Sequence, residues 1–277
     1  MPQALMPCFA VLGQPVAHSL SPRIHRRFGE QCGIALDYRA IEVAPEALAA
    51  RLEAFHAEGL AGANVTLPLK ELAARACREL SDAARLSGAV NTLVRLEDGW
   101  LGDNTDGAGL VADLRRIGAR LDGARALLLG AGGAARGAVP ALFRAGVAEL
   151  VVANRSVERA VALAHDLAGC GPIRARGLDA PGDAGGFDLI LNATSAARGS
   201  HALALPVTLP ATDATAYDLS YDAAAQPFLA WAASAGIARA ADGLGMLVEQ
   251  AAEAFQRWHG VRPDAAAVLA KLRAERV

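Results

Sequence analysis

The stretch that most constrains the fold is an apolar run followed at once by a glycine-rich turn and a helical pattern. Leu127-Leu-Leu129 leads into Gly130-Ala-Gly-Gly-Ala-Ala135, which matches the G-x-G-x-x-A pattern of dinucleotide-binding turns. Gly130 permits the tight turn, Gly132 allows a pyrophosphate to approach the backbone, and Ala135 permits close packing of helix on strand. We therefore predict a Rossmann-type unit with cofactor-binding residues Gly130, Ala131, Gly132, Gly133 and Ala134.

The strand after this turn indicates which dinucleotide would bind. Turns that select NAD carry Asp or Glu about 20 residues after the first glycine. Here Asn154 and Arg155 end the strand instead, and a helix capped by Ser156 would place Arg159 at its third position. Two arginines near the ribose fit a 2′-phosphate, so the pattern predicts NADP(H) over NAD. The alternative is that both arginines are ordinary solvated surface residues.

Short apolar runs alternate with helical patterns along the whole chain. Strands are predicted near 9–13, 36–43 and 62–66, a hairpin at 89–99, and further strands near 126, 150, 187 and 216. This alternation is typical of the α/β class with a mostly parallel sheet. At 277 residues the chain exceeds the usual single-domain size, so two domains are expected, with a short hinge near residue 106. Ser21-Pro22 predicts a helix that the serine caps, and two long helices are predicted at 244–259 and 263–276.

Composition excludes several classes of function. A formal net charge of −2 gives no basic surplus for nucleic acid. No apolar run reaches the roughly 18 residues of a membrane span, and we expect no signal peptide. Four widely spaced cysteines and no clustered histidines predict reduced thiols, no metal site and a cytoplasmic location.

Lys70 is unusual because the chain contains only one other lysine, Lys271. It follows Gly62-Ala-Asn-Val-Thr-Leu-Pro-Leu69 at the predicted start of a helix, where a cation opposes the helix dipole. Lysine can exchange protons near neutral pH when its pKa is lowered, which arginine cannot. A catalytic role and a solvated surface lysine remain equally compatible with this observation alone.

Together these segments resemble the shikimate dehydrogenase family over nearly the whole chain. The matching motifs are Gly13-Gln-Pro-Val-Ala-His-Ser-Leu-Ser-Pro22, Gly62 to Lys70, Gly88-Ala-Val-Asn-Thr92, Gly102-Asp-Asn-Thr-Asp-Gly107, Gly130-Ala-Gly-Gly-Ala134, Asn154-Arg155, Asn192-Ala-Thr194 and Ala241 to Gln250. The resemblance implies NADPH-dependent reduction of 3-dehydroshikimate to shikimate, on the route to aromatic amino acids. It also implies two domains with a central cleft: a discontinuous α/β substrate domain at 1–106 plus 244–277, and a Rossmann-type NADP domain at 107–243.

The resemblance assigns roles to individual residues. Lys70 and Asp106 match the catalytic pair, and Ser19 and Ser21 match the serines that hold the substrate carboxylate. The other matched substrate-contact positions are Thr66, Asn91, Tyr221 and Gln250. Thr194, Leu219 and Gly243 match positions beside the cofactor. A small-molecule substrate is implied, and either a monomer or a homodimer is compatible with the sequence.

Three alternatives stay open at this point. A paralogue acting on quinate with NAD or NADP could use the same Lys–Asp chemistry. An inactive NADP-binding regulator would keep the glycine turn, but it predicts loss of Lys70 or Asp106, and both are present. A Schiff-base role for Lys70 would need no nicotinamide, which the glycine turn argues against.

Overall fold

The computed structural model describes residues 6–181, 186–194 and 205–275. The strands are β1 (Cys8–Gly13), β2 (Asp37–Glu42), β3 (Gly62–Val65), β4 (Glu79–Leu80), β5 (Thr92–Leu96), β6 (Gly99–Asp103), β7 (Arg125–Leu129), β8 (Glu149–Asn154), β9 (Ile173–Gly177), β10 (Phe187–Asn192), β11 (Pro210–Asp218) and β12 (Arg239–Ala241). The helices are α1 (Ser21–Cys32), α2 (Leu48–Ala57), α3 (Lys70–Ala76), α4 (Asp82–Ser87), α5 (Asp106–Arg116), α6 (Gly133–Arg144), α7 (Val157–Asp166), α8 (Gln226–Ser234), α9 (Leu244–His259) and α10 (Ala265–Ala274). Residue 276, where the last helix was predicted to end, lies outside the described residues.

The chain forms two compact units. One consists of Met1–Asp106 together with Val248–Val277, and the other of Gly107–Leu247. The chain leaves the first unit in the opening turn of α5 and rejoins it within α9, so both crossings occur in helices. No helix in the described ranges has both the length and the apolar character of a membrane span.

The first unit contains a mixed six-stranded sheet in the order β2-β1-β3-β5-β6-β4. The β5–β6 hairpin is confirmed. Strand β5 pairs antiparallel with both β3 and β6, whereas β1 pairs in parallel with both β2 and β3. Side chains of β1 alternate between the two faces, as the period of a strand requires. Ala10 and Leu12 pack with α2 and α3, while Phe9 and Val11 pack beside Trp258 of α9.

The second unit contains a wholly parallel sheet in the order β12-β11-β10-β7-β8-β9. Counted from β7, this is the order 3-2-1-4-5-6 of dinucleotide-binding sheets. The apolar run is buried on both faces: Ala126 and Leu128 contribute to one core cluster, and Leu127 and Leu129 to the other. The order of strands reverses between β7 and β10, and ligands bind at that point in open parallel sheets. The predicted α/β class and Rossmann-type unit are confirmed.

Candidate active site

Lys70 and Asp106 form an ion pair in the first unit. The Lys70 ammonium donates to Oδ2 of Asp106 at 2.5 Å, and the two side chains are only 17% and 7% exposed. Each residue begins a helix, α3 and α5 respectively. The carboxylate is favoured at a helix N-terminus and the ammonium is disfavoured there, so the pairing offsets the unfavourable position of Lys70. Helix α3 begins at Lys70 itself, two residues after Pro68.

Asn91 and Gln250 complete the surroundings of the Asp106 carboxylate. Nδ2 of Asn91 donates to Oδ1 of Asp106 at 2.8 Å and to Oε1 of Gln250 at 3.2 Å. Each oxygen of the carboxylate therefore has its own donor, which fixes the plane of the group. Gln250 comes from α9, some 159 positions along the chain from Asn91. The structure thus brings four of the sequence-predicted residues together: Lys70, Asn91, Asp106 and Gln250.

Ser19 and Ser21 stand side by side at the start of α1. Their hydroxyl oxygens are 3.2 Å apart, and the Ser21 N–H donates to the Ser19 oxygen at 3.2 Å. The prediction that Ser21 caps this helix was wrong, because Leu20 occupies the cap position and Ser21 is the first helical residue. Ser19 instead takes up one of the free N–H groups of the first turn. Two hydroxyls beside a helix N-terminus are suited to binding a carboxylate.

Thr66 follows β3 directly, and its position depends on Gly13. A Cβ at Gly13 would lie 2.4 Å from Cγ2 of Thr66, so only glycine leaves room for this side chain. The Thr66 N–H donates to the Leu12 carbonyl at 2.8 Å, and the Thr66 carbonyl accepts from Leu69 at 2.9 Å. Backbone contacts thus fix Thr66 in the turn that leads into Lys70.

In the second unit, the glycine turn has the conformation its sequence predicts. Gly130 has φ +103°, and a Cβ there would lie 2.9 Å from the Ala193 carbonyl and 3.2 Å from the Thr194 nitrogen. Gly132 is the cap residue of α6 and Gly133 its first residue, and a Cβ at either would meet no atom within 4 Å. Open space therefore lies over the free N–H groups of α6. This is the cradle that a pyrophosphate requires, and the turn fits a dinucleotide.

The tip of β8 carries the residues predicted to choose the dinucleotide. Asn154 ends the strand, and its side-chain amide donates to the Ser156 carbonyl at 2.9 Å. Ser156 is the cap residue of α7, but its hydroxyl donates to Glu158 instead of accepting from the helix. Arg155 and Arg159 are both exposed, and in the part of the chain that the structure describes neither has an acidic partner. Both guanidinium groups are thus available to an anion.

Asp218, which the sequence reasoning did not single out, pairs with Asn192 of the Asn192-Ala-Thr194 motif, and this buried pair positions Thr194. The Asn192 amide donates to Asp218 at 2.7 Å, and its oxygen accepts from the N–H and hydroxyl of Thr194 at 3.1 and 2.7 Å. Burial raises the pKa of the Asp218 carboxyl, and donors from Ser220 and Asn192 oppose this rise. Asn and Asp at the ends of adjacent parallel strands were the available signal.

Leu219 and Gly243 pack against each other at the end of β11. A Cβ at Gly243 would lie 2.3 Å from the Leu219 carbonyl, and the Gly243 N–H donates to the Ser220 carbonyl at 2.8 Å. Tyr221 follows in the same segment and is partly exposed. It belongs to the second unit, whereas the other predicted substrate contacts belong to the first.

The start of α9 is held by a second buried carboxylate that the sequence did not reveal. Asp113 is fully buried and accepts from the hydroxyl of Tyr217 and from Arg116, each at 2.7 Å. The Tyr217 oxygen accepts from the Met246 N–H at 3.1 Å. Burial, together with the adjacent Asp113 carboxylate, raises the pKa of Tyr217 well above its usual value, so its hydroxyl remains a donor.

The parallel sheet, its glycine turn and the exposed arginines define a dinucleotide-binding α/β protein, and the Lys–Asp pair in a separate unit is suited to proton transfer. Comparison with known proteins shows the family. The chain belongs to the shikimate dehydrogenase family. It matches the family models described as the shikimate dehydrogenase substrate binding domain over residues 11–93, shikimate/quinate 5-dehydrogenase over 113–199, and the shikimate 5′-dehydrogenase C-terminal domain over 243–273.

Individual relatives match over almost their full length. The shikimate dehydrogenase (NADP(+)) of Xanthomonas campestris pv. campestris strain 8004 is 58% identical over 269 residues, which cover 96% of this chain and 95% of the relative. Shikimate 5-dehydrogenase of Thermus thermophilus, solved in complex with NADP(H) and shikimate, is 38% identical with a TM-score of 0.86 over 97% of this chain and 99% of that one. An Ael1 enzyme from Pseudomonas putida is 41% identical with a TM-score of 0.88, covering 96% and 98%.

Proposed function

We propose that the protein catalyses the reversible, NADPH-dependent reduction of 3-dehydroshikimate to shikimate, on the chorismate route to aromatic amino acids. The observation that carries this proposal is the Lys70–Asp106 pair with the Asn91 and Gln250 amides around it. Amides suit the ring hydroxyls of such a substrate, and the hydroxyls of Ser19 and Ser21 suit its carboxylate. The names of the relatives agree with this reading. Four free cysteines favour the cytoplasm as the place of the reaction.

The residues of the first unit would supply the proton and hold the substrate. Bound NADPH supplies the hydride that the carbonyl carbon receives. As negative charge grows on the carbonyl oxygen, the Lys70 ammonium donates a proton to it, and in the reverse direction the amine takes that proton from the hydroxyl. Asp106 keeps the ammonium in place through the bond at 2.5 Å, and Asn91 keeps Asp106 in place. Thr66 of the first unit and Tyr221 of the second are proposed as further substrate contacts.

Cofactor binding is proposed for the glycine turn and the tip of β8. Gly130, Ala131, Gly132, Gly133 and Ala134 would surround the pyrophosphate, and Thr194, Leu219 and Gly243 would lie toward the nicotinamide. Asn154, Arg155 and Arg159 would hold the 2′-phosphate, because both arginines are exposed and have no acidic partner in the described chain.

Cofactor choice can be measured as binding. Arg155→Ala should weaken NADP⁺ binding by about tenfold or more, the size of one charge-assisted hydrogen bond, and leave NAD⁺ binding unchanged. Arg115→Ala is the control, since Arg115 is also exposed and belongs to the same unit. Equal dissociation constants of the wild type for NADP⁺ and NAD⁺ would refute the choice of NADP.

The chain offers a matched control for the proton donor. NADPH formation from shikimate and NADP⁺ is followed at 340 nm for the wild type, Lys70→Ala and Lys271→Ala. Removing the proton donor should lower kcat about 10²-fold or more, whereas Lys271 is an exposed residue of α10 and its loss should have no effect. A wild type that oxidises quinate faster than shikimate would indicate the quinate paralogue, and a wild type that binds NADP⁺ without any turnover would indicate a regulator.

A further inference from the structure

Behind Asn91 lies a buried run of hydrogen bonds that neither the proposed catalytic residues nor the substrate contacts account for. Its central member is Thr92, the first residue of β5, which is completely buried. The Thr92 hydroxyl donates to Oδ1 of Asn91 at 2.9 Å and accepts from Nδ2 of Asn64 at 3.2 Å. Since Thr92 has no exposed surface, any effect it has on substrate must pass through the groups its hydroxyl contacts, which are Asn91, Asn64 and the Thr105 hydroxyl at 3.3 Å. Of these three, only Asn91 is a proposed substrate contact.

The direction of these bonds is set by groups that cannot reverse their roles. The backbone carbonyl of Asn91 can only accept, and it accepts from Nδ2 of Asn64 at 3.1 Å. This orients Asn64 with its NH₂ group toward Thr92, while its oxygen accepts from the Tyr38 hydroxyl at 2.7 Å. With Asn64 donating to its oxygen, the Thr92 hydroxyl has its proton left for an acceptor, and Oδ1 of Asn91 at 2.9 Å is nearer than the Thr105 hydroxyl oxygen at 3.3 Å.

The orientation of the Asn91 side-chain amide, at the other end of the run, is also fixed by a group that can only donate. The backbone N–H of Thr105 can only donate, and it reaches Oδ1 of Asn91 at 2.8 Å. The Asn91 amide therefore receives two donors on its oxygen, from Thr92 and Thr105, and its NH₂ group must face Asp106 and Gln250. A reversed amide would place its oxygen against the Asp106 carboxylate and lose both donors, an unfavourable arrangement for buried groups.

We infer that Thr92 is a positioning residue for the reaction: its hydroxyl locks the Asn91 amide with the N–H groups toward Asp106 and Gln250. The inference rests on the proposed function, because it concerns the group that orients the Lys70–Asp106 pair. It predicts that activity depends on the hydroxyl of Thr92 and not on the shape of its side chain.

Thr92→Val keeps the shape and removes the hydroxyl, whereas Thr92→Ser keeps the hydroxyl. Thr92→Val should lower kcat/KM for shikimate about tenfold, the size of one lost hydrogen bond to a buried polar group, with the KM for NADP⁺ unchanged. Thr92→Ser should restore most of the activity. Thr215→Val is the control, because Thr215 is an equally buried threonine on β11 of the other unit.

Wild-type kinetics in Thr92→Val would overturn the inference, as would a Thr92→Ser variant as impaired as Thr92→Val, or an equal loss in Thr215→Val. If Thr92→Val does not fold, Thr92→Cys replaces it. A thiol is a weak donor, so its activity should lie well below that of serine, and activity equal to that of serine would overturn the inference.

A spectroscopic reading separates this inference from the proposed function. The side-chain amide signals of Asn91, assigned by their absence from Asn91→Ala, are followed by ¹⁵N–¹H NMR without any ligand. The chemical shifts of these signals should change in Thr92→Val and should lie close to the wild-type values in Thr92→Ser. A wild type inert toward shikimate would refute the proposed function alone, whereas Asn91 signals unchanged in Thr92→Val would overturn the inference even in an active enzyme.

Discussion

Gly245, the second residue of α9, lies against the buried carboxylate of Asp113. A Cβ at this position would lie 2.1 Å from both carboxylate oxygens and 2.2 Å from the carbon between them. Ordinary contacts of a Cβ begin near 3.4 Å, so the carboxylate would have to withdraw by more than 1 Å. Asp113 is fully buried and held by Tyr217 and Arg116 at 2.7 Å each, and such a movement would break both bonds.

The expected effect of Gly245→Ala follows from these contacts. Each bond to a charged group contributes about 1.5–3 kcal/mol, so the loss of two should lower the free energy of unfolding by about 3–6 kcal/mol. Even the lower figure corresponds to a fall of about 6–12 °C in the melting temperature of a unit of this size. Differential scanning calorimetry is the suitable assay, because it separates transitions that do not coincide.

Gly169→Ala is the matched control in the same unit. Gly169 is exposed, and a Cβ there would meet no atom within 4 Å. The melting temperature of the Gly169→Ala protein should therefore stay close to that of the wild type. A double-mutant cycle identifies the cause: in an Asp113→Ala background, Gly245→Ala should cost much less, because the obstructing carboxylate is absent. A Gly245→Ala protein with the wild-type melting temperature would refute the reasoning.

Three further predictions concern burial and the carboxylate site. Burial lowers the pKa of His25 to about 3, and the opposing contribution of Asn64 is smaller, so the unfolded chain binds a proton below about pH 6.5 that the folded chain does not. The free energy of unfolding of the wild type should therefore fall by up to about 1.4 kcal/mol per pH unit as the pH is lowered from 6 to 4. Urea unfolding at several pH values should show that the free energy of unfolding of His25→Phe depends less on pH than that of the wild type. Burial raises the pKa of the Cys77 thiol to about 12, so this thiol should not react with Ellman's reagent at pH 8 in the native protein. Native wild type and native Cys77→Ser should therefore show equal numbers of reactive thiols. After denaturation, Cys77→Ser should show one thiol fewer than the wild type. Ser19→Ala combined with Ser21→Ala should raise the KM for shikimate with no change in the dissociation constant for NADP⁺, and an unchanged KM in the assay at 340 nm would exclude the carboxylate site.

The sequence predicted best where a backbone requirement restricts the residue type. Gly130 has φ +103° and approaches Ala193 too closely for any side chain, so a glycine directly after an apolar strand was an accurate signal of the turn. The run at 126–129 is apolar at every position because both faces of a parallel strand are buried, and the structure confirms this. Strands β9 and β12 were not predicted, because their sequence patterns are weak. β9 reads Ile-Arg-Ala-Arg-Gly at the edge of its sheet, and β12 has only three residues.

The residues that orient the site were harder to predict. Asn64, Thr92, Asp113 and Asn192 are polar residues whose importance comes from partners distant in the chain, as the bond between Tyr217 and Asp113 across 104 positions illustrates. A side chain of this type has the same local sequence signal in a surface turn as in a buried network. The position of Ser21 shows the same limit at short range, since a serine before a proline predicts a cap and the structure places the cap one residue earlier.

The divided first unit has a consequence for the order of events during synthesis. The second unit is one continuous segment, Gly107–Leu247, and all its strands have left the ribosome before α9 is complete. The first unit cannot finish in that order. Its sheet is completed by contacts with Trp258 of α9, which donates to the Leu93 carbonyl and packs on Phe9. Gln250 can bond to Asn91 only after α9 has formed. A nascent chain would therefore complete the parallel sheet of the second unit before the first unit, to which Lys70 belongs, and the proposed proton transfer would be the last function the protein acquires.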